Sequence, residues 1–305
     1  MEYAFGDVTI ACSNVDRVMF AADGITKGEL IAYYRDVADL MVPELSGRPL
    51  SVVRFTKGIE RGGFFQKHYQ KHFPAWLDRV EAGSKTRVSY PIVDSPAGVV
   101  YMANQGAVEF HVWTSRRDEL ERPDLLVFDL DPPDAAPDEQ FAMVRRAAQL
   151  LRAVFEQLGL PAFVKLTGSK GLHVVAPLDD AARFDEVGEL ATRIGAVMCR
   201  RHPDLLTMEF YKKDRRGRLF VDVMRNAIGA TLVAAYSLRG RPGAPVSAPI
   251  TWSELDEPGL SAGAIRLRDL RTRLDRRGDP WHGLRARAGS VAGALRALAG
   301  LAAPG

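Results

Sequence analysis

The stretch LLVFDLDPPD, residues 125–134, is an apolar run that ends in two carboxylates and two prolines. The apolar residues predict a buried strand, and the prolines predict where it ends. Side chains alternate between the faces of a strand, so Asp129 and Asp131 are expected on one face, within about 7 Å of each other. Two like charges at that distance repel unless a proton or a metal ion lies between them. Other carboxylates and cations of the chain must therefore be considered as neighbours of this pair.

Length and composition are those of a globular chain. Of the 305 residues, 47% are hydrophobic and 26% are charged, which suits one large domain or two modest ones. The net charge of +3 is too small to identify a partner. The two cysteines, Cys12 and Cys199, exclude a disulfide framework and a cysteine-based zinc cluster.

Targeting segments are not visible in the sequence. The N-terminal residues MEYAFGDVTIACSN lack the basic region and the long apolar run of a secretory signal. No stretch of about 18 apolar residues, the length that crosses a membrane as a helix, occurs in the chain. These features predict a cytoplasmic protein with no membrane partner.

Strands and helices alternate through the middle of the chain, which predicts an α/β (α+β) fold with a central mixed β-sheet flanked by helices. The strongest helical pattern, EQFAMVRRAAQLLRAVFEQLG, is amphipathic and closed by Gly159. We expect a smaller β-rich lobe over residues 1–105 and the α/β core over residues 106–250. A helical segment is expected over residues 251–305, with a tail that is frayed or disordered.

Shorter patterns complete the predicted element order. TKGELIAYYRDVADLMVPEL predicts a helix with a capping box between Thr26 and Glu29 and an end limited by Pro43. VSYPIVDS and GVVYMANQ predict short strands, and AVEFHVW predicts a strand with alternating faces. FVKLTGSKGLHVVAPL predicts two short strands around a turn that contains glycine.

A third carboxylate, Asp222, interrupts the apolar strand pattern RLFVDVM. Carboxylates delivered by two buried strands are the oxygen ligands that Mg²⁺ and Mn²⁺ prefer. An aspartate at a strand end that caps the next helix is the commoner occurrence. Spacing alone leaves both interpretations of Asp129, Asp131 and Asp222 open.

The segment KLTGSKGLHVV, residues 165–175, combines glycines with hydroxyl and cationic side chains. Gly168 and Gly171 let backbone N–H groups approach an anion. The spacing matches neither a Walker A loop nor the dinucleotide-binding G-x-G-x-x-G motif. A tight hairpin with glycines at positive φ is the alternative, and it is favoured without further observations.

Two arginines accompany the carboxylates: Arg225, three residues after Asp222, and Arg239 in AYSLRGRPG. Cations near carboxylate-bound metals neutralise the charge that develops on a leaving pyrophosphate. A lone arginine beside a strand is more often a surface residue, so the neighbouring aspartates carry the weight. The basic segment KKDRRGR, residues 212–218, suits a solvated hairpin tip as well as a phosphate contact.

Taken in order, these motifs resemble the polymerase domain of bacterial ligase D, which belongs to the archaeo-eukaryotic primase superfamily and acts in non-homologous end joining. The resemblance covers most of the chain and fades beyond about residue 270. It implies a primase-like core that adds nucleotides to a 3′-hydroxyl. The segments that carry it are SNVDRVMF, TKGELIAYY, GGFFQKH, DLD, TGSKG-x-H, FVDVMRN, YSLRGRPG and TWSELD.

The resemblance implies a role for each matching residue at the site of nucleotide transfer. Two Mn²⁺ or Mg²⁺ ions would be held by Asp129, Asp131 and Asp222. The nucleoside triphosphate would be bound by His111, Thr167, Ser169, Lys170, His173, Arg225 and Arg239. On the residues alone, His111 on its alternating strand is better explained as a core histidine.

The resemblance also implies residues that contact DNA. The pocket for the 5′-phosphate of a downstream strand would be formed by Asn14, Arg17 and Lys27. Phe64 and Phe65 match two aromatic residues that pack against the template base. An extended chain would point these two neighbours to opposite sides, so one of them can instead belong to the core. The glycines before them and the bases after them suit an exposed loop against nucleic acid.

The implied function is nucleotide addition at DNA gaps and broken ends, with a preference for ribonucleotides and Mn²⁺. The implied partners are DNA with gaps, overhangs or ends, a Ku-type end-binding protein and a DNA ligase at the bacterial nucleoid. A nuclease is one alternative, although it leaves the triphosphate-type segment and Arg239 without a purpose. A non-catalytic end-bridging module is the other, although it has no use for carboxylates near phosphates. No K-x-D-G ligase motif occurs, so the chain is expected to be a stand-alone polymerase or a piece of a longer ligase D.

Overall fold

The computed structural model describes residues 1–83, 86–179 and 181–301. The fold is of the mixed α/β class predicted from the sequence, with helices packed against a mixed β-sheet. Within these ranges, none of the helices combines the length and the apolar character needed to cross a membrane. The terminal segment expected to be a frayed helix or disordered, residues 289–305, is helical over Val291–Leu301, and residues 302–305 lie outside the described ranges.

The strands are short, as expected for a chain with frequent turns. Their bounds are β1 (Glu2–Phe5), β2 (Val8–Ala11), β3 (Val18–Phe20), β4 (Ile25–Thr26), β5 (Leu50–Arg54), β6 (Phe64–Gln66), β7 (Arg79–Ala82), β8 (Val88–Pro91), β9 (Ala107–Trp113), β10 (Ser115–Arg116), β11 (Glu119–Pro123), β12 (Leu125–Asp131), β13 (Phe163–Leu166), β14 (Leu172–Pro177), β15 (Leu206–Thr207), β16 (Leu219–Asp222), β17 (Thr231–Val233) and β18 (Pro249–Ile250).

The helices include long amphipathic ones and several single turns. The α-helices are α1 (Lys27–Leu45), α2 (Pro96–Asn104), α3 (Pro137–Gln157), α4 (Phe184–Arg201), α5 (Trp252–Leu255), α6 (Leu270–Arg277) and α7 (Val291–Leu301). The 3₁₀ helices are η1 (Ala21–Asp23), η2 (Ile59–Arg61), η3 (Lys212–Asp214), η4 (Met224–Asn226) and η5 (Leu284–Arg287).

The chain folds into two compact units, each assembled from separate segments. The first unit contains Met1–Asp118, Thr231–Ala248 and Ile265–Asp279. The second contains Glu119–Ala230, Pro249–Ala264 and the chain from Pro280 onward. These boundaries differ from the three consecutive segments expected over residues 1–105, 106–250 and 251–305, because strands distant in sequence pair within one sheet.

The second unit is built on a six-stranded sheet in the order β15-β16-β12-β14-β13-β18. β15 and β16 are parallel, and the other neighbours are antiparallel. β12 lies between β16 and β14, and its first four residues, Leu125–Phe128, are buried. Helices α3 and α4 pack against it. The apolar run quoted from the sequence is therefore an interior strand that delivers its carboxylates at the strand end.

The first unit is built on a four-stranded sheet in the order β17-β9-β5-β6. Antiparallel pairs β1-β2, β3-β4 and β7-β8 accompany it, and α1 packs against α2. β9 is the predicted alternating strand, with Val108, Phe110 and Val112 buried on one face. Its other face carries Glu109 and His111, which brings two polar side chains together.

One prediction in the N-terminal part of the chain needs correction. GVVYMANQ was predicted as a strand, but most of it is in α2, whose Ser95 cap accepts a hydrogen bond from the Gly98 N–H at 3.3 Å. Pro96 at the first helical position favours the same structure. Helix α1 has the predicted capping box and ends at Leu45, two residues after Pro43 and at the end of the predicted segment.

Candidate active site

Four polar side chains form a row across the sheet of the second unit. Asp129 on β12 lies opposite Asp222 on β16 and, on its other side, opposite His173 on β14. His173 in turn lies opposite Lys165 on β13. Residues directly opposite each other in a sheet share a face, so the four side chains point to the same side. Four strands therefore contribute to one polar site.

The row is enclosed at one side and opens at the end of β12. Lys165 is fully buried, whereas the side chains of Asp129 and Asp131 are 19% and 43% exposed. Asp131 is the last residue of β12, and Pro132 follows it as the sequence predicted. The carboxylates therefore face solvent where the strand stops.

Asn226 anchors the turn that follows β16. Its side-chain carbonyl accepts a hydrogen bond from the Val127 N–H at 2.8 Å, and its amide donates to the Val127 carbonyl at 2.7 Å. Because Asn226 ends η4, these bonds hold η4 against the middle of β12. The arrangement explains why aspartate, arginine and asparagine occur together in FVDVMRN: the asparagine holds Arg225 beside the row.

Arg225 bridges two of the carboxylates. Its guanidinium lies 3.4 Å from Asp129 Oδ2 and 3.6 Å from Asp222 Oδ2. The Met224 N–H donates a hydrogen bond of 2.8 Å to Asp222 Oδ1. A side-chain cation thus lies between carboxylates where the sequence predicts a proton or a metal ion.

The pKa values of the two aspartates diverge. Burial raises the pKa of Asp129, but His173, Arg225 and Lys165 outweigh burial and hold that pKa at about 2. The pKa of Asp222 is raised, mainly by burial. Asp129 is therefore the more acidic of the two carboxyl groups.

His173 lies between Asp129 and Lys165 in the row. Its Nε2 lies 3.5 Å from Asp129 Oδ1, and burial together with Lys165 lowers the pKa of His173 to about 4. The imidazole is therefore neutral at pH 7. Its buried Nδ1 has no hydrogen-bond partner among the described residues, so the site has a polar atom that a bound group could satisfy.

Arg215, within the basic segment KKDRRGR, contacts the third carboxylate. Its Nη1 lies 3.0 Å from Asp131 Oδ2, and its Nη2 donates to the Phe210 carbonyl at 2.9 Å. The guanidinium also lies 4.1 Å from the centre of the Phe220 ring. Neither alternative considered for the segment, a solvated tip or a phosphate contact, describes this buried arginine.

The carboxylates suit a hard divalent cation in their chemistry. Across the described ranges, however, no three His, Cys, Asp or Glu side chains converge closely enough to hold an ion. Asp131 is bonded to Arg215, and Arg225 lies between the other two carboxylates. Arg225 therefore occupies the place of a cation between these carboxylates, with a side chain that is 39% exposed.

The turn between β13 and β14 is closed by its own threonine. Thr167 Oγ1 accepts hydrogen bonds from the Ser169 and Gly171 N–H groups, each at 3.3 Å. Gly168 has φ of +66°, and Lys170 Nζ lies 3.0 Å from Asp134 Oδ1. This geometry is that of the predicted tight hairpin, although Gly168 has positive φ and Gly171 does not. The hairpin carries Lys170 exposed at its tip.

His111 and Arg239 come together in the first unit through a residue that the sequence analysis missed. Glu109 Oε2 lies 2.9 Å from His111 Nε2 and 3.1 Å from Arg239 Nε. Glu109 Oε1 accepts a hydrogen bond of 2.9 Å from the Gly240 N–H. His111 is therefore bonded to a carboxylate, unlike a core histidine with one backbone bond. Glu109 lies two residues before His111 on the same strand face, which is the signal that could have identified it.

The predicted phosphate pocket of the first unit contains cations bonded only to neutral oxygens. Lys27 Nζ donates to the Ser13 carbonyl at 2.7 Å and to Asn104 Oδ1 at 2.9 Å. Arg17 Nη1 donates to the Thr56 carbonyl at 2.6 Å. Neither cation has a carboxylate partner within the described residues, which favours binding of an anion. The side chain of Asn14, a residue with φ of +52°, lies 3.5 Å from Ser13 Oγ.

Arg54 is a further cation of this region that the sequence did not single out. It donates to the Gln105 carbonyl and to Gln66 Oε1, both at 2.7 Å, and lies 5.6 Å from the centre of the Phe64 ring. Burial lowers the pKa of Lys27, and the charges of Arg17 and Arg54 add to this effect. Lys27 is therefore close enough to Arg17 and Arg54 to be repelled by both, a cost that a bound anion would relieve.

Phe64 and Phe65 lie on β6, the edge strand of the four-stranded sheet. Their exposed fractions are 49% and 53%, so neither belongs to the core. The Phe65 ring centre lies 5.8 Å from that of His111. Exposed rings on an edge strand provide stacking surfaces of the kind that bases bind.

The family model of the LigD primase-polymerase domain matches residues 26–281. The chain belongs to this family, and it is therefore a polymerase-type nucleotidyltransferase domain. Curated relatives include the multifunctional non-homologous end joining DNA repair protein LigD of Mycobacterium tuberculosis, 36% identical over 88% of this chain and 36% of the relative. The bifunctional non-homologous end joining protein LigD of Bacillus subtilis is 28% identical over 88% of this chain and 43% of its own length. The chain thus spans less than half of these relatives.

A solved structure with the same fold is the polymerase domain of Mycobacterium tuberculosis ligase D in complex with DNA. The TM-score is 0.85 at 34% sequence identity, and the alignment covers 92% of this chain and 99% of the other. The expected family and fold class are thereby confirmed. The roles of the individual site residues remain predictions.

Proposed function

We propose that this chain adds nucleotides, with a preference for ribonucleotides, to a DNA 3′-hydroxyl at gaps and broken ends during non-homologous end joining. The observation that carries the proposal is the carboxylate row of Asp129 and Asp222, with Asp131 at its open end, in a member of a primase-polymerase family. A pure binding module gains nothing from carboxylates near phosphates.

The carboxylates would hold two divalent ions, Mn²⁺ or Mg²⁺. When bound, such ions acidify the 3′-hydroxyl and neutralise the charge on the pyrophosphate. The low pKa of Asp129 keeps it ionised and ready to act as a ligand. Arg225 would leave its place between the carboxylates and pair with phosphate oxygens, which a guanidinium binds with two parallel hydrogen bonds.

The triphosphate would be bound by the hairpin between β13 and β14 and by the cations Arg225 and Arg239. Lys170 is exposed at the tip of the hairpin beside Thr167 and Ser169, and a triphosphate would replace its surface pairing with Asp134. The neutral His173 would donate or accept a hydrogen bond without adding charge. His111 and Arg239 would supply a further imidazole and a guanidinium to the nucleotide.

The DNA substrate would carry a 5′-phosphate on the downstream side of the gap. Arg17 and Lys27, with Asn14 beside them, provide the positive charge for it without carboxylate competition. Phe64 and Phe65 would stack on the template base next to the gap. Contacts to phosphates release counterions, so DNA affinity should weaken steeply with added salt. A Ku-type protein and a ligase are the proposed partners at the nucleoid.

Primer extension on gapped DNA tests this proposal. Wild-type protein with Mn²⁺ or Mg²⁺ should lengthen the primer faster with ribonucleotides than with deoxyribonucleotides. Asp129→Asn should lower the rate about a hundredfold or more by removing one negative ligand. Asp138→Asn, which changes an aspartate in the first turn of α3, is the matched control and should retain activity.

Binding of gapped DNA with and without a 5′-phosphate tests the phosphate pocket. Lys27→Met should weaken binding of 5′-phosphorylated gapped DNA about tenfold, the value of one charged hydrogen bond, and leave unphosphorylated DNA nearly unaffected. Arg35→Met removes one positive charge from the same helix and serves as the control. Shortening of the DNA instead of lengthening would favour a nuclease, and DNA binding without extension would favour the end-bridging alternative.

A further inference from the structure

Glu109 is a buried carboxylate with three partners in the first unit. Its two oxygens contact His111 Nε2, Arg239 Nε and the Gly240 N–H at 2.9, 3.1 and 2.9 Å. The residue is 8% exposed. A buried charge is costly unless it is paired and hydrogen-bonded; here His111 and the Gly240 N–H are hydrogen-bonded to Glu109, and Arg239 is paired with it as a cation.

The partners of Glu109 come from two segments far apart in the sequence. His111 shares β9 with Glu109, whereas Arg239 and Gly240 belong to the segment after β17. Gly240 also packs so closely on Phe55 that a Cβ atom would lie 2.3 Å from its ring. Glu109 thus ties a strand to a tightly packed turn.

We propose that Glu109 is a positioning residue that fixes His111 and Arg239 for contact with the nucleotide. The inference rests on the proposed function, because it takes the roles of His111 and Arg239 from there. A carboxylate only accepts hydrogen bonds at neutral pH, so Glu109 requires the proton of His111 to be on Nε2. It also orients the Arg239 guanidinium through Nε. Glu109 itself does not contact the phosphates, which would repel it.

The variant Glu109→Gln keeps the shape of the side chain but removes its negative charge and one of its two acceptor oxygens. One end of the glutamine side chain is an amide nitrogen, which only donates. If that nitrogen faces His111 and Arg239, it opposes two N–H donors; if it faces Gly240, it opposes the backbone donor. Neither orientation satisfies all three partners. Glu109→Asp retains both acceptor oxygens on a shorter side chain and should restore part of the arrangement.

Steady-state kinetics of primer extension give the first readout. Glu109→Gln should raise the KM for the nucleoside triphosphate about tenfold, the effect of one lost charged hydrogen bond. The Kd for gapped DNA should stay within twofold of wild type. Glu109→Asp should give an intermediate KM. Asp78→Asn, which disrupts another carboxylate–arginine pair of this unit, with Arg117, should change neither quantity.

Nitrogen-15 NMR of the histidine side chains gives a second readout that does not depend on activity. In the wild type, the His111 Nε2 resonance should be that of a protonated nitrogen, and Glu109→Gln should shift it. His111→Ala identifies the resonance. The inference is overturned if Glu109→Gln leaves the KM and the His111 signal unchanged in an active protein, or if it weakens binding of gapped DNA as much as it raises the KM. An inactive wild type would refute the proposed function instead, and the NMR shift would still report on the Glu109–His111 contact.

Discussion

Arginine side chains neutralise the two aspartates of the DLD sequence, whose negative charges would otherwise repel each other. Asp129 and Asp131 were expected to need a metal ion or a proton between them. In the structure, Arg225 pairs with Asp129 and Arg215 pairs with Asp131. Arg225 was expected beside the carboxylates, whereas Arg215 lies in the basic segment whose role the sequence left open. Only the pairing of β12 with β16 brings them near.

Gly171, which lies against β12 near Asp131, has a structural role that can be tested. A Cβ atom on Gly171 would lie 2.1 Å from the Leu130 carbonyl oxygen of β12. We therefore expect Gly171→Ala to lower the free energy of unfolding by roughly 2 kcal/mol through overpacking, measured by urea denaturation.

Gly188→Ala is the matched control for that substitution. Gly188 lies within α4, and a Cβ atom there would approach nothing closer than 4.0 Å. Because alanine is a better helix former than glycine, the control should gain about 0.5–1 kcal/mol. Equal effects of the two substitutions would contradict the proposed steric contact.

At the element scale, capping residues explain both a success and a failure of the sequence analysis. The Thr26–Glu29 capping box was recognised, and α1 begins there. The Ser95 cap followed by Pro96 was overlooked because GVVYMANQ is rich in β-branched and aromatic residues, and the segment is helical. Strand propensity is weak compared with a helix start signal and packing against α1.

The start of α1 can be tested through its cap. Thr26→Ala removes the side-chain oxygen that accepts from the Glu29 N–H, so it should cost about 1 kcal/mol of unfolding free energy in urea denaturation. Thr26→Ser retains the oxygen and should cost much less. Since Lys27 is the first residue of this helix, Thr26→Ala should also weaken binding of 5′-phosphorylated DNA. A cap variant as stable as wild type would argue against the observed hydrogen bond.

At the scale of the whole molecule, each compact unit is assembled from segments far apart in the chain. β17, after residue 230, joins the sheet that contains β5 and β9. Residues of the α6 segment belong to the same unit, although the sequence suggested a continuous C-terminal appendage. Composition and periodicity describe local structure, so they could not predict that the chain returns to the first unit.

Two buried carboxylates should make the stability of the molecule depend on pH in acid. The pKa values of Glu109 and Asp129 are about 2 in the folded protein, whereas about 4 is usual in an unfolded chain. Between these values the unfolded chain binds more protons, so the free energy of unfolding falls as the pH is lowered from about 5 to 2. The raised pKa of Asp222 opposes this trend in part.

Urea denaturation of wild type and Glu109→Gln across this range measures the contribution of Glu109. The stability difference between the two proteins should be largest above about pH 5 and should shrink by up to about 3 kcal/mol toward pH 2. Burial raises the pKa of Glu109, but His111, Arg239 and the Gly240 N–H together lower that pKa by more. A difference that is constant with pH would show that Glu109 is not selectively stabilised as the anion.

Sequence alone predicts the buried strand of residues 125–131, the hairpin around Gly168, the Thr26–Glu29 capping box and the family resemblance. These features depend on neighbours in the chain, and periodicity and turn chemistry report them directly. Tertiary structure alone decided that Arg225 and Arg215 neutralise the aspartates, that Glu109 joins His111 to Arg239, and that Lys165 is buried beside His173. Their partners are set by strand register and by turns anchored through residues such as Asn226. Contacts between distant segments follow from packing, which no local pattern specifies.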